Sequence, residues 1–510
     1  MKTVFVLFDS LNRHLLAPYG GTRVPTPNFD RLALRSVTFD RHYVGSMPCM
    51  PARRDMLTGR LSFLHRSWGP MEPFDNAFPE ILAHSGIYSH LVTDHFHYWE
   101  DGGATYHNRY DSYDFIRGQE GDPWKAMVQP HWERLKEKYH EAQFSTKRRD
   151  YKAHNVINRE FIKEDKDFPS VQVFDAGLAF LDENATAEDW LLQIETFDPH
   201  EPFHAPASFK KPFDTGWDGP IRDWPRYGRV DELPEECEEL RANYYATVAL
   251  CDALLGKLLD AFDRHDLWKD TALVVTTDHG FLLGEHDFWA KNRMNIFEEI
   301  AHIPLFVYDP RRAASAGKRC VALTQTADLA ATFLDLHGAA RPTEMQSQSL
   351  LPLIDGDASK HSAVLYGYFG GAVNITDGQH TYHRYPPDLK TQEIYQYTLM
   401  PTHIFDFFHP AELAKAELEP AMPFTKGAPL LKVPVDHRSA MYDTYGPGAF
   451  IENDTRLYDL AADPGQESPV KDAGIEERMC RLMAAMMREL DAPAEAYERL
   501  SLGPYLDAAV

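Results

Sequence analysis

Two kinds of apolar spacing alternate along the chain up to about residue 355. Val4 to Phe8 is an unbroken apolar run that delivers Asp9 at its end, the pattern of a strand buried on both faces. In TPNFDRLALRS, Thr26 or Asn28 can cap a helix whose apolar side carries Phe29, Leu32 and Leu34. The spacing predicts another helix over about Asn76 to His84, stopped at Gly86, and IYSHLVTD reads as the next strand. Trp190 to Phe197 is a further apolar run, which breaks into a proline-rich loop holding His200 and His204. Between Glu238 and Phe262 the apolar residues from Val248 to Phe262 recur at three- and four-residue intervals. TALVVTTDHG then reads as a strand ending in Asp278 and His279, IPLFVYDP as another strand, and TADLAATFLDLHGA as a helix closed by Gly338.

This alternation predicts an α/β fold, a mainly parallel sheet sandwiched by helices. Ligands of such sheets sit beyond the carboxyl ends of the strands, which is where Asp9 and Asp278 fall. Residues 102–167 are polar, aromatic and charge-rich, with ERLKEKYHEAQFSTKRRDYK as the most helical part. They are expected to form a helical insertion covering that face. From His361 the pattern shifts to short strands separated by Gly370 and Asp377-Gly378, then a late helix over Ile475 to Leu490. The expected division is a catalytic α/β domain over 1–360 and a smaller C-terminal α+β region over 361–510.

Composition narrows the class of protein. The chain has 510 residues, 44% apolar and 25% charged, long enough for a large core. Its 52 Lys and Arg against 77 Asp and Glu give a net charge of −25, which repels nucleic acid and gives no reason to expect stable membrane attachment. Five cysteines without a CxxC pair argue against a disulfide framework and fit a reducing compartment. No stretch approaches a membrane span, and the N-terminal apolar run is too short for a signal peptide, so a cytoplasmic location is expected.

Candidate chemistry gathers in three places. Asp278-His279 opens DHGFLLGEHDFWAKN, which adds His286 and Lys291. Carboxylates with an imidazole suit manganese, iron or zinc better than calcium. Cys49 stands in SMPCMPARRDMLTGR, between Pro48 and Pro51 and close to Arg53 and Arg54. Those neighbours are compatible with a reactive thiolate, with a structural cysteine, or with another chemical role.

These residues resemble the formylglycine-dependent sulfatase branch of the alkaline phosphatase superfamily, and within it the arylsulfatases and phosphonate monoester hydrolases. The motifs are CMPARRDMLTGR with FDSLN, TPNFDRLA, DPHEP and DHGFLLGEH, and the resemblance covers about Lys2 to Leu353, extending weakly to LYDLAADP. It implies an alkaline-phosphatase-like fold and conversion of Cys49 to formylglycine by a transiently bound formylglycine-generating enzyme. It also implies that the hydrated aldehyde attacks sulfur or phosphorus, and that its second hydroxyl then expels the product by C–O cleavage. By the same resemblance Asp9, Cys49, Asp278 and His279 surround one divalent cation. Arg53 orients the nucleophile, and Lys291 and His200 contact the transferring group. His204 lines the pocket, and His286 binds substrate or anchors its loop.

Departures from the family pattern choose the branch. The Lys-Trp-His element usual in sulfatases is missing from VTDHFHYWEDGG, leaving Thr93, His95 or His97 to supply its contacts. Many calcium sulfatases resemble one another in an Asp-Asp pair at the first strand and Asp-Asn at the later one. Here Asp9 precedes Ser10, and Asp278 precedes His279, so a manganese-like ion is expected, with calcium as the alternative. The expected reaction is hydrolysis of sulfate monoesters, of which aryl sulfates are the first candidates. The alternative is hydrolysis of phosphonate monoesters or phosphodiesters, which carry the same single charge. A metal phosphatase would need a Ser or Thr nucleophile, and a binding protein for sulfated ligands would not need this whole residue set. The stretch Pro420 to Gly448 is expected to mediate homo-oligomer formation.

Overall fold

The computed structural model describes residues 1–439 and 442–506. Its centre is an eight-stranded sheet built from β1 (Lys2–Phe8), β2 (Val37–Tyr43), β3 (Tyr88–Thr93), β4 (Ser112–Phe115), β5 (Trp190–Thr196), β6 (Thr271–Thr277), β7 (His302–Tyr308) and β8 (Arg319–Gln325). The spatial order is β8-β2-β7-β6-β1-β5-β3-β4. Only β7 runs against its neighbours β2 and β6, so the IPLFVYDP run makes the sheet mixed while the other pairings stay parallel.

Alternate side chains of β1 enter two cores. Val4, Val6 and Phe8 pack with Phe29, Phe174 and Leu258 on one face, and Phe5 and Leu7 pack with Met50, Phe78 and Phe333 on the other. This two-sided burial is why the strand reads as an unbroken apolar run rather than an alternating one.

The helix α1 (Pro27–Arg35) differs from expectation at both its cap and its apolar side. The side chain of Thr26 makes no cap bond. Instead Asp252, from the helix Pro234–Arg264, accepts the backbone N–H groups of Asn28 and Phe29 at 2.9 Å each. Leu34 is exposed, because Phe29 and Leu32 suffice to fill the contact with that helix. The expected helical insertion is also more mixed. Residues 112–115 form the edge strand β4, and α-helix is confined to Trp132–Lys138 and Tyr151–Asn158, with short 3-10 turns before, between and after them.

Beyond residue 360, the strands Val364–Tyr368, Val373–Thr376, His380–Arg384 and Arg456–Asp459 form a second sheet against the helix Ala473–Glu489. Its fifth strand is Ser46–Met47, immediately before Cys49, with Ser46 opposite Gly367 and Met47 opposite Tyr368. Within the stretch proposed for assembly, Ala440 and Met441 lie outside the described residues. No helix of the described residues is long and apolar enough to cross a membrane.

Candidate active site

Strand register brings the carboxylates together. Phe8 sits opposite Thr196 on one side and Thr277 on the other. The next residues on β1 and β6 are therefore Asp9 and Asp278, side by side at one edge of the sheet. Glu195, opposite Leu7 and Thr93, lies one step inside that edge.

The helix α2 (Cys49–Thr58) starts at Cys49 and aims its N-terminus, the positive end of its dipole, into the same space. Arg53 is four residues on, hence on the same helix face. Its guanidinium donates from Nη2 to Asp9 (2.8 Å), from Nη1 to Asp278 (2.7 Å) and from Nε to Glu195 (2.6 Å). All three partners are fully buried. These bonds all go to carboxylates, so Arg53 holds and neutralises the acidic groups, and it makes no hydrogen bond to the Cys49 thiol. Burial alone would raise the Asp9 carboxyl, but Arg53, Lys291 and His279 outweigh it and bring its pKa down to about 2.

The turn before α2 is tied down from behind. Asp55 accepts the N–H and hydroxyl of Ser46 (2.6 and 3.0 Å) and the N–H and hydroxyl of Ser62 (3.0 and 3.1 Å). Gly45 leaves room for this arrangement, since a Cβ there would lie 2.5 Å from the Asp55 carboxylate.

His279 presents a bare nitrogen. Its Nδ1 lies 2.9 Å from the carbonyl of Gly280, which only accepts, so Nδ1 carries the proton and Nε2 is left as a lone pair. That Nε2 is 3.3 Å from the sulfur of Cys49 and 3.4 Å from Asp278. Burial lowers the pKa of the ring, keeping it neutral. Gly280 permits the tight turn, because a Cβ would lie 1.8 Å from the carbonyl of Glu299. Donor atoms of Asp9, Cys49, Asp278 and His279 all lie within 4.8 Å of one another. Two carboxylates, a bare imidazole nitrogen and a residue-49 atom fit one divalent cation. As a thiol, Cys49 is no ready nucleophile: burial and then Asp9 push its pKa well up.

Lys291 donates to the hydroxyl of Ser10 at 3.0 Å, and Ser10 donates to Asp9 at 2.7 Å. Burial disfavours the ammonium, but Cys49, Glu201, Asp9 and Asp278 more than offset it, and the pKa is raised. His200 is buried near the same group, with Nδ1 2.6 Å from the carbonyl of Glu201, and burial and Lys291 lower its pKa well below the usual range. Thr93 accepts the N–H of His95 at 3.0 Å. Neither ring nitrogen of His95 has a partner, and its pKa is lowered by burial and then Arg53. The ring of His97 is engaged by Glu100 (2.6 Å) and stands edge-on to Trp68.

Two of the histidines picked out in the sequence lie elsewhere. His204 packs against Phe168, and His286 stacks on Phe297 at 3.7 Å while bonding Glu299. Conversely, Glu195, Ser10, Glu120, Glu201 and Tyr227 join the site without having been singled out. Glu195 had a signal: Gln193 and Glu195 interrupt WLLQIET at alternate positions, so both point to one side of an otherwise apolar strand.

The residue pattern described as Sulfatase matches residues 2–339. The chain belongs to the sulfatase family. A second pattern, N-sulphoglucosamine sulphohydrolase, C-terminal, matches residues 284–398. An N-acetylglucosamine-6-O-sulfatase of Bacteroides thetaiotaomicron is 24% identical over 480 residues, covering 82% of this sulfatase-family chain and 84% of that protein. Among solved structures, one in complex with its substrate D-glucosamine-2-N,6-O-disulfate superposes with a TM-score of 0.66 at 16% identity, covering 97% of this chain and 99% of the other. The phosphonate monoester hydrolase of Agrobacterium radiobacter gives 0.63 at 17% identity, covering 96% and 95%. At these identities the superpositions show that the fold is shared.

Proposed function

We propose that this sulfatase-family hydrolase cleaves sulfate monoesters, using residue 49 after its conversion to formylglycine by a formylglycine-generating enzyme. The observation that carries the reading is the placement of Cys49 at the start of α2, 3.3 Å from the bare Nε2 of His279 and within the donor set of Asp9 and Asp278. Hydrated, the aldehyde supplies one hydroxyl as nucleophile and a second whose deprotonation releases the product, an exit that serine lacks. A divalent cation held by Asp9, residue 49, Asp278 and His279 would lower the pKa of the attacking hydroxyl and polarise a substrate oxygen.

The chain's own residues divide the remaining work. Arg53 fixes Asp9 and Asp278 in place and offsets their charge, so the acidic cluster does not repel an anionic ester. Lys291, kept cationic by its neighbours, is assigned to the oxygens of the transferring group and to the developing charge on the leaving oxygen. His200, with Thr93, His95 and His97 nearby, is assigned to substrate contact. His204 and His286 support the fold in this reading.

Aryl sulfates are the preferred first substrates, supported by Tyr445, which is close enough to Cys49 to interact with it electrostatically and stacks on the buried Trp68 at 3.9 Å. Similarity to an N-acetylglucosamine-6-O-sulfatase over most of its length supports sulfated sugars as a second class to test. Hydrolysis of phosphonate monoesters or phosphodiesters is the second reading, favoured by the imidazole donor of His279 and by their single charge. The same donor favours manganese over calcium. Specificity constants for 4-nitrophenyl sulfate, a glucosamine 6-sulfate and a phenyl phosphonate ester test the assignment. A sulfate ester should be the best substrate, and a clearly higher value for the phosphonate would reverse it.

A further inference from the structure

Ser10 touches both Asp9 and Asp278 and also Lys291, and the catalytic reading above gives it no role. Its N–H donates to Oδ1 of Asp278 at 3.0 Å. Its hydroxyl donates to Oδ1 of Asp9 at 2.7 Å while accepting from Nζ of Lys291 at 3.0 Å. A hydroxyl offers one donor and free lone pairs, so both bonds are made at once. The carbonyl of Ser10 accepts the hydroxyl of Tyr244, on the helix Pro234–Arg264, at 2.6 Å. The residue is fully buried.

The backbone is held in the left-handed region at both ends of the Lys291 contact. Ser10 has φ of 61°, and Ala290, immediately before Lys291, has φ of 80°. That conformation is unfavourable for a residue with a Cβ, and it persists where the surroundings over-determine it. At Ser10 the bonds to Asp278 and Tyr244 do so. An extended residue after Asp9 would direct its side chain to the opposite face, whereas the left-handed turn returns the hydroxyl to the Asp9 carboxylate.

Lys291 needs such an anchor. Its stem is flexible, and the charges of Glu201, Asp9 and Asp278 all pull on its ammonium. Among the described residues, Ser10 is the one hydrogen-bond acceptor of Nζ. An ammonium has three N–H donors, so Ser10 takes one and two remain for an ester.

We propose that Ser10 is a positioning residue, whose hydroxyl ties Lys291 to Asp9 and so holds the ammonium against the charge developing on the leaving oxygen. This rests on the assignment of Lys291 made above. A fixed ammonium helps a poor leaving group most, because its oxygen keeps the charge that a nitro-substituted ring would spread.

The test is the leaving-group dependence of kcat/KM over substituted phenyl sulfates, from 4-nitrophenyl to unsubstituted phenyl, in the metal-loaded full-length protein. Ser10→Ala removes the hydroxyl and keeps the backbone bonds. It should lower kcat/KM for phenyl sulfate by about ten- to a hundred-fold, the range for removing an outer contact of a ligating carboxylate. The loss for 4-nitrophenyl sulfate should be clearly smaller, so that the slope against the pKa of the alcohol steepens. Ser10→Gly, which also relieves the left-handed backbone, should steepen it equally and guards against a folding defect in the first variant. Lys291→Ala should steepen it as well, and adding Ser10→Ala to that variant should change the slope no further. An equal loss for every leaving group would overturn the proposal and confine Ser10 to holding Asp9, and no loss would overturn it outright. Either result leaves the catalytic reading standing. A slope unchanged in Lys291→Ala would instead overturn the assignment of Lys291 to the leaving oxygen, and the proposal with it.

Discussion

At the scale of single residues, Arg53 is the side chain on which the acidic centre depends. It meets three buried carboxylates with three separate N–H groups, a fork that lysine cannot reproduce. Arg53→Lys is therefore expected to lower kcat/KM by about ten- to a hundred-fold, the range for losing an outer partner that orients metal-ligating groups. It should also lower the melting temperature, because buried carboxylates are left unpaired. Steady-state kinetics and calorimetry on the same preparation check both. Asp9, Cys49, Asp278 and His279 were legible in the sequence because each ends or follows a distinctive run. Glu120 and Glu201 were not, since Glu120 sits in an irregular polar stretch and Glu201 reads as loop filler between His200 and Pro202. Only folding brings them within a few ångströms of each other. His286 illustrates the reverse, a histidine within a strong motif whose side chain turns to Phe297 and Glu299.

At the scale of elements, the placement of Cys49 rests on the turn before α2. Asp55 accepts four hydrogen bonds there, two of them from backbone N–H groups. Asp55→Asn would set an amide NH2 against one of those donors and is expected to cost about 1–3 kcal/mol of stability. Denaturant unfolding measures it, and an unchanged midpoint would contradict the role given to Asp55. Apolar runs revealed β1, β5 and β6 because each is buried on both faces. The strand β2, VTFDRHY, is polar at its middle and half-exposed there, so its periodicity is weak. The cap of α1 was invisible for another reason: its acceptor, Asp252, is 224 residues away from Asn28, and no local pattern encodes it.

At the scale of the molecule, the region beyond residue 360 is built into the support of the site. Ser46 and Met47 add a strand to its sheet, and Leu61, Phe63 and Leu64 share a core with Met479, Met483 and Leu365. A chain truncated after residue 360 is expected to lose cooperative unfolding, as followed by calorimetry. A soluble, cooperatively unfolding 1–360 fragment would contradict that. Chelation should abolish turnover and lower the melting temperature, since an ion bound at about a hundred times its Kd adds about 2.7 kcal/mol. Manganese should restore both more fully than calcium, and full recovery with calcium alone would refute the preference drawn from His279. The sheet class was legible from alternating runs and helices, whereas the reversal of β7 was not, because a strand buried on both faces carries no mark of direction.

The central claim is that residue 49 works as an aldehyde beside a bound cation. Its most direct test is the mass of the peptide containing residue 49, measured alongside turnover of an aryl sulfate across preparations with different degrees of conversion. A mass about 18 Da below the cysteine value, the difference in atomic composition between thiol and aldehyde, should accompany activity in proportion. Full activity in protein whose residue 49 is entirely an unmodified thiol would contradict the account.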